Sequence, residues 1–453
     1  MGLLLFLLTG CVLAPRGTRE ERDRAKQAGR AYETPFDRRD LPQIPDHADW
    51  RDLLHRAFLA NGDLEAAYFD WRAALARIDQ AAAYPNSNLA VSYMYMFSKE
   101  RLKTWDRNTF GFGFDPAMNL QLPVKVAQAG KVALEDARAA GYRFLGAKFD
   151  LQRKVLIAYL DLALMDEKIR IQRDNVELLR ILSQAAANRV QAGGPQQDLL
   201  KVQIEHRLAE NELANMELEA RSMRAMLNGM LAREPREPLV LPATLPAPRA
   251  APADDSRLIA MGVSQNPQLA AFARQVQGRR DALDLARMRY LPDLNPQFAF
   301  TGSLSQSVGA MLMLPTNLPE IRGMISEARA VLQATAAMHR QAGYDRSAEF
   351  ISALLQMRNA ERQVELFQRQ ILPSVQQALA SSRQSYAAGS IAFADLIDSQ
   401  RTLLNVRTLI AEARIAREKR LAELEALAGV DVEALGSSRS SEVAAPTTRP
   451  GGR

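Results

Sequence analysis

Few residues of this chain have a type and spacing that would support chemistry, and the clearest of them is the single cysteine. Cys11 follows a short apolar run over residues 3–8 and the small residues Thr9 and Gly10. This order is typical of a bacterial lipoprotein signal, which is cleaved before a cysteine that then carries lipid. The run is too short for a membrane-spanning helix, which needs about 20 apolar residues. We therefore predict a signal over residues 1–10 and lipidation of Cys11.

A second candidate is a pair of carboxylates late in the chain. Asp395 and Asp398 are three residues apart, so on a helix they would share one face. An alternative for Asp395 is that it only caps or stabilises the first turn of a helix, where the helix dipole favours an acid. Asp198 lies in a similar context earlier in the chain, but Lys201 follows it in place of a second acid. Both interpretations of Asp395 stay open.

Residues that carry catalysis or bind metals are sparse. The four histidines are far apart along the chain, at His47, His55, His206 and His339. No phosphate-binding glycine loop, nucleophile elbow or His-Glu metal motif occurs in the sequence. The scattered methionines are typical of core fillers rather than of soft-metal ligands. We predict that the chain is not an enzyme and uses no cofactor or metal.

The composition is that of a protein built from long helices. The chain has 453 residues, of which 47% are hydrophobic but only 6% aromatic, and alanine, leucine, arginine and glutamate abound. Its 58 basic and 52 acidic residues interleave to a net charge of +6 without forming a basic block. Such a surface is not that of a nucleic-acid-binding protein, so no nucleic-acid partner is expected.

Internal repetition indicates that the chain consists of two copies of one unit. Three markers recur in the same order, about 200 residues apart. The pairs are Asn61-Gly62-Asp63-Leu64 with Asn266-Pro267-Gln268-Leu269, Leu122-Pro123 with Leu314-Pro315, and Ala192-Gly193 with Ala388-Gly389. Each copy reads as a helix, two strands, a very long helix, a turn and a returning helix. We therefore predict a mainly α fold with a small β part.

The predicted segments follow from helical stretches, turn residues and strict period-two alternation of apolar residues in the strands. A proline at Pro373 predicts a local break in the second long helix, and the second strand pair looks shorter than the first. The segments are an N-terminal extended stretch 11–45; a first repeat 46–232, with strands 88–98 and 110–122, a long helix 124–191 and a helix 196–232; a proline-rich linker 233–256; a second repeat 257–436, with strands 296–304 and 308–314, a long helix 320–388 and a helix 392–428; and a disordered tail 437–453.

The strands predict oligomerisation. Two strands per copy give four per chain, and four strands cannot close a barrel around a lumen. Open sheet edges are not tolerated in lipid, so other copies of the chain must close them. Three chains would supply twelve strands, an even number within the range of membrane barrels.

The doubled plan resembles that of the TolC-like outer-membrane efflux proteins. Further motifs carry the resemblance, namely Tyr290-Leu291-Pro292, Ile371-Leu372-Pro373, Tyr386-Ala387-Ala388-Gly389 and Asp395-Leu396-Ile397-Asp398. The similarity covers roughly residues 45–430. It implies a homotrimer with a twelve-stranded β-barrel in the outer membrane and an α-helical barrel in the periplasm. It also implies a passive outer-membrane channel of a tripartite efflux or type I secretion system, with a periplasmic adaptor protein and an inner-membrane pump as partners.

The same resemblance implies roles for particular residues. Asp395 and Asp398 would line the periplasmic entrance, and Tyr386 would hydrogen-bond a neighbouring helix near the gate. Ile391 stands where family members can carry an arginine that holds the entrance shut, so the gate is expected to be less tightly locked or locked by other residues. The tips of the two helical hairpins would contact the adaptor, through Gly193, Gly194, Gly389 and Ser390.

Two other classes of protein stay open as alternatives. A periplasmic adaptor would have one coiled-coil hairpin flanked by compact β-domains, and a structural coiled-coil lipoprotein would not need strands of strict period two.

Val12, rather than aspartate, follows Cys11, which by resemblance to sorted lipoproteins favours anchoring to outer-membrane lipid. The sequence does not indicate the transported substrate or the class of pump.

Overall fold

A computed structural model describes residues 13–84, 89–97, 102–114, 121–252, 254–303, 305–388 and 390–431. Cys11, Gly389, the predicted signal and the predicted tail 437–453 lie outside the described residues. Within them the chain is mostly helical, with one small sheet.

The N-terminal stretch is not extended as predicted. Helix α1 occupies Thr18–Ala28, and its buried residues Thr18, Glu21 and Ala25 recur every three to four positions. That spacing gives the helix one face to bury, which explains why a segment rich in charge folds against the protein. Ahead of it, the backbone N–H of Leu13 donates to the carbonyl of Ala82 at 2.9 Å.

The first repeat contains α2 (Trp50–Ala60), α3 (Gly62–Ala82), α4 (Pro123–Gln191) and α5 (Gln196–Met230). Asn61 separates α2 from α3, because its side-chain oxygen accepts hydrogen bonds from the backbone of Asp63 and Leu64 and so begins a new helix. The 69 residues of α4 form one helix. Its only proline is Pro123, at the first position, where a missing N–H costs no hydrogen bond.

The second repeat contains α6 (Asp255–Ser264), α7 (Pro267–Arg287), α8 (Leu318–Leu366), α9 (Leu372–Ala387) and α10 (Phe393–Ala428). Between α8 and α9, the residues Phe367–Ile371 form a π-helical segment. It lies directly before Pro373, where the sequence predicts a break. A proline there cannot donate to the carbonyl four residues earlier, which favours a local change of helical geometry.

Four antiparallel strands form the sheet in the order β1-β2-β3-β4. They are β1 (Leu89–Tyr95), β2 (Asn108–Phe114), β3 (Asp293–Thr301) and β4 (Ser305–Met313). The strands of the second hairpin, with 9 residues each, both begin three residues earlier than the predicted 296–304 and 308–314. Because residues 305–307 are polar, the alternation of apolar residues does not show that β4 begins at Ser305. Of the predicted strand 110–122, residues 115–120 lie outside the described residues.

The register sorts the side chains of the sheet onto two unlike faces. One face carries aromatic and aliphatic rows, namely Val91–Phe112–Phe298–Val308 and Tyr93–Phe110–Phe300–Gln306. The opposite face carries mostly small or polar rows, namely Ser92–Gly111–Ala299–Ser307 and Ala90–Gly113–Gln297–Gly309. Val91 is 61% exposed and Val308 84% exposed, so the described part of the chain leaves the edges of the apolar face uncovered.

The carboxylate of Asp106 joins the two β-hairpins at their turns. Asp106, in the β1–β2 connection, accepts hydrogen bonds from the backbone N–H (2.8 Å) and the hydroxyl (2.5 Å) of Ser303 in the β3–β4 turn. Gly302 has a left-handed φ of 45°, and a Cβ there would lie 2.4 Å from the Cα of Asp106. The turn therefore needs glycine, both for its conformation and for this close approach.

The chain divides into two compact units that do not coincide with the repeats. One comprises Met1–Glu33, Ala66–Phe144 and Gln268–Gly343, and the other Thr34–Glu65, Leu145–Pro267 and Tyr344–Arg453. Each unit thus takes segments from both repeats. In the first, the Trp71 and Phe144 rings stack with centroids 5.8 Å apart. In the second, a buried cluster is formed by Leu258, Phe350, Leu354, Met357, Leu421 and Leu424.

The proline-rich segment between the repeats is anchored by a buried ion cluster in the second unit. The Arg249 guanidinium contacts the carboxylates of Glu418 at 3.1 Å and Glu425 at 2.8 Å, and all three side chains are buried. Arg417 donates to the carbonyl of Arg249 at 2.6 Å. Although burial disfavours the charge, the two carboxylates outweigh that effect and raise the pKa of Arg249 above its ordinary value.

Candidate functional site

The first hairpin tip, between α4 and α5, is a glycine turn. Gly193 adopts a left-handed φ of 90°, which is the usual way to end a helix. The N–H of Gly194 donates to the carbonyl of Arg189 at 2.8 Å, and a Cβ on Gly194 would lie 2.9 Å from that oxygen. Both glycines are therefore required by the turn itself, whether or not the tip contacts a partner.

The second tip, between α9 and α10, is closed by Ser390. Its backbone N–H and its hydroxyl both donate to the carbonyl of Ser385 at 2.9 Å. Gly389 lies outside the described residues. The adaptor-contacting role of the two tips stays a prediction.

The two aspartates lie where the sequence places them, in the first turns of α10. Both are exposed. The carboxylate of Asp395 accepts a hydrogen bond from the backbone N–H of Ala392 at 3.2 Å, which satisfies one free donor at the start of the helix. Asp395 therefore stabilises the first turn of α10, as its alternative interpretation predicted. Its carboxylate is nevertheless exposed. Asp398 has no such bond to the helix start, and the entrance role of both acids stays a prediction.

Tyr386 contacts both hairpins through its ring. The Arg189 guanidinium carbon lies 4.8 Å from the ring centroid, and the Phe393 ring meets it edge-on at 5.7 Å with an interplanar angle of 62°. Arg189 belongs to the first repeat, whereas Tyr386 and Phe393 belong to the second. The hydrogen bond predicted for the Tyr386 hydroxyl stays a prediction.

An apolar cluster lies beneath this contact and joins the two hairpins. Phe393 is 2% exposed, and it is buried together with Leu179, Ala186, Val202, Ala209 and Ile397. On the surface nearby, Arg401 of α10 pairs with Glu205 of α5 at 2.6 Å. The second hairpin is thus seated on the first by buried side chains and by contacts at its edge.

Sequence reasoning found Tyr386 and the acids but missed Arg189 and Phe393. Phe393 is the first residue of α10, and only its burial reveals that it anchors the tip. Arg189 precedes the tip glycine by four residues, one helical turn, and that spacing is the signal that could have found it. Ile391, at the position of the expected arginine, is half-buried and uncharged.

The described residues contain neither a cluster of metal ligands nor a helical membrane span. Across these residues, no group of three or more His, Cys, Asp or Glu side chains is arranged to hold a metal ion. None of the helices in the described part of the chain combines the length and the hydropathy of a membrane span.

Comparison with known proteins gives a family match over most of the chain. A family model described as "Outer membrane efflux protein" matches residues 53–233 and 258–430. The cobalt-zinc-cadmium resistance protein CzcC of Cupriavidus metallidurans is 22% identical over 270 residues, which cover 58% of this chain and 63% of that protein. The chain therefore spans 63% of the length of this relative.

Solved structures show the same fold. The outer-membrane channel OprN is 18% identical, with a TM-score of 0.70 over 89% of this chain and 92% of that chain. The outer membrane protein VceC of Vibrio cholerae is 16% identical, with a TM-score of 0.69 over 84% of this chain and 96% of that chain. These likenesses confirm the predicted fold class, mainly α with a small β part.

Proposed function

The chain belongs to the outer membrane efflux protein family, and we propose from this premise that it is the outer-membrane channel subunit of a tripartite efflux or type I secretion system. The family match covers both repeats and confirms the resemblance found in the sequence. In this role the protein conducts solutes passively from the periplasm, or from a pump, to the exterior. The family consists of outer-membrane channels rather than enzymes, and the proposed function includes no catalytic step.

The observation that carries the proposal is the two-faced sheet. Its exposed apolar rows suit lipid, and its small and polar rows suit a water-filled lumen. Strands β1 and β4 are the two edges of this sheet, and in lipid such edges must be paired. A homotrimer that pairs β1 of one copy with β4 of the next would close a twelve-stranded barrel.

Partners follow from the same proposal. The tips at Gly193, Gly194, Gly389 and Ser390 would meet a periplasmic adaptor protein, which links the channel to an inner-membrane pump. Lipid on Cys11 would fix the N-terminus to the outer membrane. The competing interpretation as an adaptor is disfavoured because the chain has two helical hairpins and a sheet with one apolar face.

Asp395 and Asp398 would form two rings of three carboxylates at the periplasmic entrance of the trimer. Their exposure supports this, because a carboxylate at the surface attracts cations. The name of the relative CzcC concerns resistance to cobalt, zinc and cadmium, which makes divalent cations one candidate cargo for this chain.

The entrance can be tested with Asp395→Ala/Asp398→Ala protein in planar bilayers. We expect the affinity of a blocking cation, hexamminecobalt(III) applied from the periplasmic side, to fall at least about tenfold, since rings of like charge focus counter-ions. Asp198→Ala, at the equivalent position of the first repeat, is the matched control and should leave the block unchanged. Equal block in all three proteins would overturn the entrance assignment, and a wild-type protein that forms no conducting pore would overturn the channel itself.

A further inference from the structure

A charged cleft lies beside α1, and conduction makes no use of it. The cleft has a volume of about 450 Å³ and is formed by α1, the turn after it, and α3. All of these elements belong to the first compact unit. Its charged lining residues are Arg22, Lys26, Glu33, Arg72 and Asp79.

Two of the three cations in this cleft have no carboxylate partner. Arg22 pairs with Asp79 at 2.5 Å, whereas Lys26 and Arg72 form no ion pair among the described residues. The Arg72 guanidinium donates instead to the hydroxyl of Tyr68 at 3.0 Å, and Tyr68 is fully buried. A neutral group thus positions Arg72 and leaves its charge unmatched. An arginine and a lysine in this state suit a phosphate group.

The cleft also offers a carboxylate that has no cation. Glu33 is exposed, lines the same cleft and forms no ion pair within the described part of the chain. Unmatched charges of both signs therefore face one space. A ligand that carries a phosphate and an ammonium group would complement both.

The position of the cleft relative to the membrane follows from the N-terminal segment. Helix α3 leads into β1, so Ala82 is at the end of α3 nearer the sheet. The N–H of Leu13 donates to the carbonyl of Ala82, and Cys11 is at most about 7 Å further along the chain. Lipid on Cys11 would hold this end of α3 at the membrane surface. Asp79 and Arg72 lie roughly 5 and 15 Å from Ala82 along the helix, so the cleft begins next to the lipid headgroups.

We propose that this cleft binds the phosphoethanolamine headgroup of a phospholipid in the leaflet that faces the periplasm. Lys26 and Arg72 donate hydrogen bonds to the phosphate, and Glu33 accepts one from the ammonium. This inference rests on the proposed function, because the outer-membrane location and the lipid on Cys11 bring the cleft to the headgroups. A choline headgroup has no N–H on its nitrogen, so it cannot donate to Glu33.

The experiment is calorimetric titration of the purified full-length protein with dihexanoylphosphatidylethanolamine. We expect this lipid to bind at least about tenfold more tightly than dihexanoylphosphatidylcholine, since a hydrogen bond between charged groups is worth about that factor. Lys26→Gln/Arg72→Gln should weaken binding of the ethanolamine lipid at least about tenfold. Arg77→Gln is the matched control and should not change it, because Arg77 is an exposed arginine of α3 that does not line the cleft.

The assignment of the ammonium to Glu33 has its own test. Glu33→Gln should weaken binding of the ethanolamine lipid, leave binding of the choline lipid unchanged, and so abolish the preference between them. An unchanged preference in Glu33→Gln would overturn this assignment. Inorganic phosphate that binds as tightly as the ethanolamine lipid would show a free-phosphate site and overturn the lipid proposal.

The remaining outcomes separate the headgroup site from the channel. If wild type conducts in planar bilayers but binds the ethanolamine lipid no better than Lys26→Gln/Arg72→Gln does, the headgroup site is wrong and the channel function stands. If wild type shows the expected lipid preference but forms no pore, the headgroup site stands and the proposed channel is wrong.

Discussion

Replacing Arg249 with methionine should release the segment between the two repeats. Arg249 is 9% exposed and binds Glu418, which is 4% exposed, and Glu425, which is 1% exposed. Methionine keeps much of the volume but removes the charge, so two buried carboxylates lose a cation. Removing one partner of a buried ion pair destabilises by about 3–5 kcal/mol.

The structure favours the lower end of that range. Arg417 also contacts Glu418, so the carboxylate of Glu418 keeps one cation when Arg249 is replaced. We take about 3 kcal/mol, which corresponds to a roughly 150-fold larger population in which the segment is detached. Complete detachment also exposes Leu239 and Leu241, which are buried at 4% and 6% exposure. These apolar contacts oppose detachment equally in wild type and variant.

The assay is native-state proteolysis with proteinase K, with cleavage between residues 234 and 252 followed by mass spectrometry. When the segment recloses faster than it is cut, the cleavage rate follows the detached population. Arg236→Met is the control, because Arg236 is an exposed arginine of the same segment. Arg249→Lys keeps the charge without the two-pronged geometry, and its rate should lie between those of wild type and Arg249→Met.

Equal cleavage of Arg249→Met and Arg236→Met would refute the reasoning. It would mean that the apolar contacts of the segment, and not its ions, hold it in place.

Two further predictions concern the contact of Asp106 with Gly302 and Ser303, which joins the two β-hairpins. Gly302→Ala forces a side chain into a left-handed turn, 2.4 Å from the Cα of Asp106, and should cost about 1–3 kcal/mol. The proposed trimer of this variant should dissociate at a lower temperature on gels than the trimer of Gly309→Ala, where a Cβ meets nothing within 4 Å. The hydrogen bonds from the Ser303 hydroxyl and N–H lower the pKa of Asp106 below its ordinary 3.8. The ionised Asp106 carboxylate therefore stabilises the fold above about pH 4, and this contribution is lost as the pH falls through the lowered pKa of Asp106. Acid should therefore reduce the heat resistance of wild type more than that of Asp106→Asn.

Helices were the most predictable part of this fold, because composition and breakers define them locally. The long α4 begins at Pro123 and ends before the glycines at 193 and 194, all visible in the sequence. The parts of the fold that the sequence did not predict depend on tertiary contacts. Helix α1 forms because its buried residues pack on other helices, and β4 continues through polar residues because β3 pairs with it residue by residue.

The candidate site was predictable where one segment supplies both the residues and their spacing. Asp395 and Asp398 belong to a single turn of α10, so the sequence was sufficient to pair them. The contact of Arg189 with Tyr386 joins residues that are almost half the chain apart, and no periodicity reports such a contact. The sequence did not predict the ion cluster around Arg249 for the same reason. A proline-rich segment is interpreted as a linker whether or not one of its residues is buried.

The small rows of the sheet have a consequence for what the barrel can select. Along Ser92–Gly111–Ala299–Ser307, a passing solute would meet hydroxyls, methyls and bare backbone, with no charged group among them. A surface of this kind has little means of telling one solute from another by shape or charge. In the proposed trimer, a barrel lined this way would be an unselective outlet, and the sorting of cargo would fall to the helical end of the protein and to the proposed pump.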